Sequence, residues 1–294
     1  MFHQMSHMNQ RLTTSGIGVA ILLFFLYLSH TIFFDWLFVL FIATMVGLAL
    51  WEYYRIAKSN GMHPLAKIGI IGSTCYIIAV FLSTQWVGMK PLPIAVLGLT
   101  LLVAFVYYFI KGKDPFVNLA VTCFALAYLT LPLSFAVDIN YFFPAESTQD
   151  GRWWLLYLFA VTKMTDAGAF FVGKQFGTKK LAPYISPRKT VEGALGGFLV
   201  AVLTSILFYL ATNLFFHQPP ILLTLWQSIW LGSLICIAAQ FGDLAESLLK
   251  RDVGVKDSNT KLPGLGGMLD IVDSLVFTVP LLYIFLIVYY GKGL

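Results

Sequence analysis

Residues 191–215 read VEGALGGFLVAVLTSILFYLATNLF. After Glu192 the run carries no charge, and it is long enough to cross a bilayer, which takes about 20 predominantly apolar residues. Stretches of the same kind flank it at 15–30, 32–54, 67–84, 92–110, 116–137, 153–175, 221–248 and 268–290. They predict an all-α fold, a polytopic integral membrane helical bundle of about nine transmembrane helices. Composition agrees. Of 294 residues, 59% are hydrophobic and 11% charged, and the mean hydropathy is +0.81. A soluble domain carries about 25% charged residues, so lipid must serve as solvent for much of this exterior. No repeat, low-complexity tract or long linker divides the chain, which reads as one transmembrane domain over residues 1–294. Cys75, Cys123 and Cys236 sit inside apolar runs and match neither a disulfide framework nor a zinc site. Arg11 precedes the first apolar run, a second run follows almost at once, and no small-residue cleavage site intervenes, so the first run reads as a retained span.

Orientation follows from the basic residues. With nine spans and the N-terminus inside, Arg11, Arg55, Lys58, Lys67, Lys111 and Lys113 fall on inner segments. So do Lys174, Lys179, Lys180, Arg188, Lys189, Lys250, Arg251, Lys256 and Lys261. The outer segments hold only Lys90, Arg152 and Lys292, and Lys163 lies within a span. This places the N-terminus in the cytoplasm and the chain in the inner, cytoplasmic membrane. The net charge of +5 is then a property of the inner face, where it serves topology and attraction to anionic lipid.

Ionisable residues inside spans are costly and point to function. Asp166 stands in the sixth span, Asp243 and Glu246 near the inner end of the eighth, Asp270 and Asp273 at the start of the ninth, and Glu192 at the start of the seventh. All approach the cytoplasmic boundary. Asp243, Ser247 and Lys250 share one helical face, as do Asp270 and Asp273. Each has a plainer alternative: Glu192 and Asp270 as first-turn acids favoured by the helix dipole, Glu246 with Lys250 as an i, i+4 ion pair. Asp243 and Asp270 are the best pair to share a hard cation. Carboxylates suit Mg²⁺, with Mn²⁺ as the alternative, because it takes oxygen ligands and keeps waters and substrate phosphates in its shell. His3, His7, His30, His63 and His217 all lie away from these acids, which argues against zinc.

Two inner loops flank the acids. One runs over residues 179–193, KKLAPYISPRKTVEG; the other runs from Lys250 to Gly267 and ends LPGLGG. Glycines at a helix entrance let backbone N–H groups approach phosphate, and nearby lysines supply charge. The alternative for each is a turn held inside by its lysines, and for Gly193, Gly196 and Gly197 it is close helix packing.

Taken together, residues of about 160–280 resemble the phosphatidate cytidylyltransferases. Three ordered blocks carry the resemblance: TDAGAFFVGK at 165–174 followed by Phe176-Gly177, SPRKTVEG at 186–193, and a long block from Gly242-Asp243. That block runs through Ser247, Lys250, Arg251, Lys256 and Asp257 to PGLGGMLDIVDS at 263–274. Leu265 and Ile271 depart from the family pattern, which has a His and an Arg there. The resemblance implies CTP, phosphatidate and membrane lipid as partners, with no nucleic acid, and is compatible with a homo-oligomer. It implies a site in which Asp243, Asp270 and Asp273 hold the metal and act in catalysis with Lys250. Asp166, Ser186, Lys189, Glu192, Ser247, Arg251, Lys256, Asp257, Gly266 and Gly267 would bind substrate.

The implied reaction is in-line attack of the lipid phosphate on the CTP α-phosphorus. A phosphomonoester has a second pKa of about 6, so the nucleophile is already ionised at neutral pH and needs no general base. If a His at position 265 would only have bound or oriented phosphate, its absence costs about 10²–10³ in rate by analogy with oxyanion donors. Two other classes compete: a CTP-dependent lipid-alcohol kinase, whose alcohol substrate benefits from a base, and a transport or non-catalytic relative, which buried acids also fit.

Overall fold

The computed structural model of the chain describes residue 24 and residues 32–112, 114–144, 146–254 and 267–291. Among the described residues, eight helices are long and apolar enough to cross a membrane, running from Asp35–Ser59 to Met268–Tyr290. They correspond to the second through ninth stretches read from the sequence. The stretch at 15–30 lies outside the described residues apart from residue 24. The chain forms two compact units, one of residues 1–137 with 252–272, the other of residues 138–251 with 273–294.

The first unit holds α1 (Ile32–Ser59), α2 (Ala66–Gln85), α3 (Leu92–Lys111) and α4 (Pro115–Ala125). A π-helical turn, Leu126–Thr130, joins α4 to α5 (Leu131–Asn140). The turn lies just ahead of Pro132, whose ring nitrogen cannot donate to the helix, and Leu131 N–H reaches back five residues to the Leu126 carbonyl. Two glycines on α2 admit close neighbours: a Cβ at Gly69 would lie 2.2 Å from the Tyr54 hydroxyl, and one at Gly72 2.3 Å from Thr100 Cγ2. Polar groups inside this unit pair with one another, as apolar surroundings require. Thr130 donates to Ser73 at 2.9 Å, and the Leu65 N–H donates to Thr122 Oγ1 at 3.0 Å.

The second unit holds the end of α5, then α6 (Gly151–Phe176), a hairpin of β1 (Lys180–Ala182) and β2 (Ser186–Thr190), α7 (Val191–Phe215), and α8 (Leu225–Asp252) up to Arg251. The helix α9 (Met268–Tyr290) begins in the first unit and continues into the second. Asp150 starts α6 by accepting from Arg152 N–H at 2.9 Å. Thr190 starts α7 by accepting from Gly193 N–H at 3.1 Å, the side-chain cap that Thr supplies well.

α7 inverts the pattern of a soluble amphipathic helix. Its buried face is Gly193, Gly196, Gly197, Ala201, Ser205 and Thr212, while Leu195, Leu199, Leu203, Leu207, Leu210 and Leu214 face outward. In lipid there is no hydrophobic gain from burying leucine against another helix, so small residues that permit close backbone approach form the contact. The packing reading of the glycines therefore holds. A Cβ at Gly193 would lie 2.8 Å from the Ala169 carbonyl oxygen, and one at Gly197 2.9 Å from that of Thr165. Because that obstacle is backbone, Gly197→Ala is expected to destabilise the α6–α7 pair by about 1–3 kcal/mol, read as a lower melting temperature of the purified protein in detergent.

The hairpin was not anticipated from sequence, where residues 179–193 read as a loop. The strands are antiparallel, with Lys180 opposite Thr190 and Ala182 opposite Ser186 and an irregularity between the two pairs. Glu192 closes its base: its carboxylate accepts from Thr178 Oγ1 at 2.5 Å and from the N–H groups of Thr178 and Lys179 at 3.1 and 3.2 Å. The Arg251 side chain holds the tip by donating to the Ile185 carbonyl at 3.2 Å.

Candidate active site

The hairpin hands Lys189 to the interior of the second unit, where its ammonium lies 2.7 Å from Asp243 Oδ2 on α8. The residue before Asp243 is a glycine for a steric reason. A Cβ at Gly242 would lie 2.4 Å from the Asp273 carbonyl oxygen and 2.9 Å from Ser274 Cα. At this level α8 and α9 touch backbone to backbone, and their acids enter one neighbourhood. The charged groups around the Asp273 carboxylate are Asp243, Lys163 and Asp166. Those around Asp166 are Lys163, Asp243 and Lys189, with the Lys163 ammonium 3.6 Å away. Three acids and two amines thus gather from β2, α6, α8 and α9. Asp273 is only 7% exposed, and its Oδ1 accepts from the Ser274 N–H at 2.5 Å. Asp166 and Asp243 are more open, with side-chain exposures of 39% and 38%. A cluster of ionisable groups on helices long and apolar enough to cross a membrane is a functional feature by default, because a charge is costly there without a partner or a substrate.

The other residues singled out from sequence divide by location. Lys250 is mostly buried and pairs at 2.6 Å with the buried Glu246, one helical turn earlier, which is the i, i+4 pair expected as the plainer alternative. Arg251 engages the hairpin tip and Glu192 its base, so the hydrogen bonds of both shape the loop. Ser186 opens β2 and Ser247 lies half-buried on α8, one turn beyond Asp243. Asp270 belongs to the first unit, where its Oδ2 accepts from the Gly267 N–H at 2.6 Å, the local capping role that a first-turn acid performs. Lys256, Asp257 and Gly266 lie outside the described residues, as does Leu265.

Two ionisable residues of structural consequence carried no role in the sequence reading. Lys163 was visible as a charge within a span, and that was its signal; what the sequence withheld was its company, Asp166 and Asp273. Glu52, near the end of α1, is buried and accepts from the Leu269 N–H at 2.8 Å.

The donor chemistry of the cluster bears on a metal. Among the described residues no three His, Cys, Asp or Glu side chains converge on one point, as a protein cage for zinc or calcium would require. A pair of neighbouring carboxylates, Asp243 and Asp273, fits the different habit of Mg²⁺, which is held by one or two carboxylates and completes its shell with water and substrate phosphate.

The chain is similar to known proteins along nearly its whole length. A phosphatidate cytidylyltransferase of Chlamydia pneumoniae is 36% identical over 260 residues, 85% of this chain and 82% of its own length. One of Bacillus subtilis (strain 168) is 32% identical over 284 residues, 96% of this chain and 98% of its own. The model of the cytidylyltransferase family matches residues 9–289, a range that takes in every residue of the charged cluster. The chain belongs to the cytidylyltransferase family.

Proposed function

We propose that this chain is an integral membrane phosphatidate cytidylyltransferase, which transfers the cytidylyl group of CTP to phosphatidate and releases pyrophosphate and CDP-diacylglycerol. The observation that carries the reading is the cluster of Asp166, Asp243, Asp273 and Lys163 on three long apolar helices, joined by Lys189 from the hairpin. It brings together cations for phosphate and oxygen ligands for a metal. The relatives that bear this enzyme's name extend along nearly all of the chain and support the same reaction. The distribution of Lys and Arg supports a site opening to the cytoplasm, where CTP is made, with the chain in the inner membrane.

One oxygen of the lipid phosphate attacks the α-phosphorus of CTP. A bond forms between that oxygen and the phosphorus, the bond from the α-phosphorus to the bridging oxygen of the β-phosphate breaks, and the electron pair leaves on pyrophosphate. The nucleophile is an ionised phosphate, so the protein's task is to align two anions and offset their charge. Lys189, fixed by the hairpin and by Asp243, binds CTP phosphate. Asp166 and Lys163 form a polar contact for the entering headgroup. Asp243 and Asp273 hold Mg²⁺, which when bound neutralises developing charge on the phosphates. Asp270, one helical turn before Asp273, is the further acid to be tested.

The test uses CTP labelled at the α-phosphate, phosphatidate in detergent, and Mg²⁺ with and without chelator. Label is expected in lipid with Mg²⁺ and absent with chelator, with pyrophosphate released in step. Release of CDP with unlabelled lipid would identify a kinase instead, and no nucleotide turnover at all would overturn the reading.

A further inference from the structure

Glu52 is an ionisable residue inside a span that the proposed reaction does not use. It is 3% exposed, and its Oε2 accepts from the Leu269 N–H at 2.8 Å across 217 positions of sequence. Leu269 is the second residue of α9, within the first turn, where backbone N–H groups have no acceptor inside their own helix. For the Leu269 N–H that acceptor comes from a remote helix. The preceding Gly267 N–H is met locally by Asp270 Oδ2 at 2.6 Å. A carboxylate in this position also faces the positive end of the helix dipole, and a hydrogen bond to a charged acceptor is stronger than a neutral one. Leu269 and Val272 are both buried, so apolar packing and the Glu52 hydrogen bond secure the same turn.

That turn presents Asp270, the residue after Leu269. A helix is stiff over this length, so holding the Leu269 N–H sets the rotation and rise at which this acid is offered. Each residue of slip moves it by about 1.5 Å along the axis, and a misplacement of about 1 Å at a reacting centre costs on the order of 10²-fold in rate.

We propose that Glu52 is a positioning residue for cytidylyl transfer, a cap supplied by α1 that sets the placement of the acidic first turn of α9. The proposal rests on the function proposed above. It makes the reach of the acceptor oxygen, more than its charge, the decisive property. Glu52→Gln keeps an acceptor at the same distance and loses the charge. Glu52→Asp keeps the charge and is one methylene shorter.

In the full-length purified protein, Glu52→Gln is expected to hold kcat within about three-fold of wild type. Glu52→Asp is expected to lower kcat by about 10- to 100-fold and to raise the Mg²⁺ concentration for half-maximal activity by about five-fold or more, with KM for phosphatidate unchanged. A second readout needs neither metal nor turnover: amide hydrogen exchange over residues 267–273 of the unliganded protein speeds up in Glu52→Asp and stays at the wild-type rate in Glu52→Gln. Equal or better performance of Glu52→Asp in both readouts would show that charge governs, and would overturn the proposal. So would activity that falls only in step with the folded fraction, at unchanged Mg²⁺ dependence. If wild-type protein labels no lipid, it is the proposed function that fails, and the exchange comparison still reports on the Glu52 cap.

Discussion

Asp243→Asn is expected to lower CDP-lipid formation by about 10²- to 10³-fold while leaving the fold in place. Asp243 and Lys189 are 2.7 Å apart, with side-chain exposures of 38% and 23%, and the amide oxygen of Asn at 243 still accepts a hydrogen bond from the Lys189 ammonium, so the fold is retained. The catalytic consequence is of another order. Asn keeps the shape of the side chain but removes a negative charge from a group whose charged neighbours include Asp166 and Asp273. With one carboxylate fewer for the metal, the stabilisation of charge developing on CTP falls, and losing even one well-placed electrostatic group costs about 10²–10³ in rate. Lys189→Met removes the partner and is expected to raise KM for CTP as well as lower kcat. Both are checked by the labelled-CTP assay on protein whose melting curve matches wild type. Wild-type-like turnover in Asp243→Asn and in Asp273→Asn together would sink the assignment of these acids to the metal.

The physical reasons why some of this was legible in the sequence, and some was not, separate cleanly by range. Spans are legible because lipid forbids charge over some twenty consecutive residues, so eight of the stretches read from hydropathy reappear as helices among the described residues. Local devices are legible for a similar reason. The Glu246–Lys250 pair and the first-turn position of Asp270 follow from helical spacing alone, and both are formed at 2.6 Å. Pairings across helices were not legible. Lys189 and Asp243 were both named as site residues, yet nothing in their spacing says that they meet. Lys163 was seen as a lone charge, and its proximity to Asp273 depends on how α6 and α9 pack. The hairpin escaped notice because Pro183 and Pro187 interrupt any strand pattern. What holds it together is the carboxylate of Glu192 at its base and Arg251 from another helix at its tip. Glu52 is the extreme case, since its role is defined by a residue 217 positions away.

Gly242→Ala is the substitution expected to damage fold and activity together. The Cβ it adds would lie 2.4 Å from the Asp273 carbonyl oxygen, 2.9 Å from Ser274 Cα and 3.1 Å from the Asp273 carbonyl carbon. Every one of these atoms is backbone, so no rotamer change relieves the overlap, and α8 and α9 must move apart. Overpacking of this kind costs about 1–3 kcal/mol, visible as a lower melting temperature. The same movement separates Asp243 from Asp273. If their spacing is what the chemistry uses, a shift of about 1 Å lowers turnover per folded molecule by on the order of 10²-fold. Gly232→Ala, on the same helix, distinguishes the two effects. Its Cβ would meet the Ser205 side chain at 2.7 Å, in a polar contact of Tyr157, Ser205 and the Ser228 carbonyl that is separate from the acids. That variant is expected to lose stability to a similar degree yet, once folded, to turn over like wild type. Equal turnover losses in the two variants would mean that general loosening of α8, and not the separation of Asp243 from Asp273, limits the reaction.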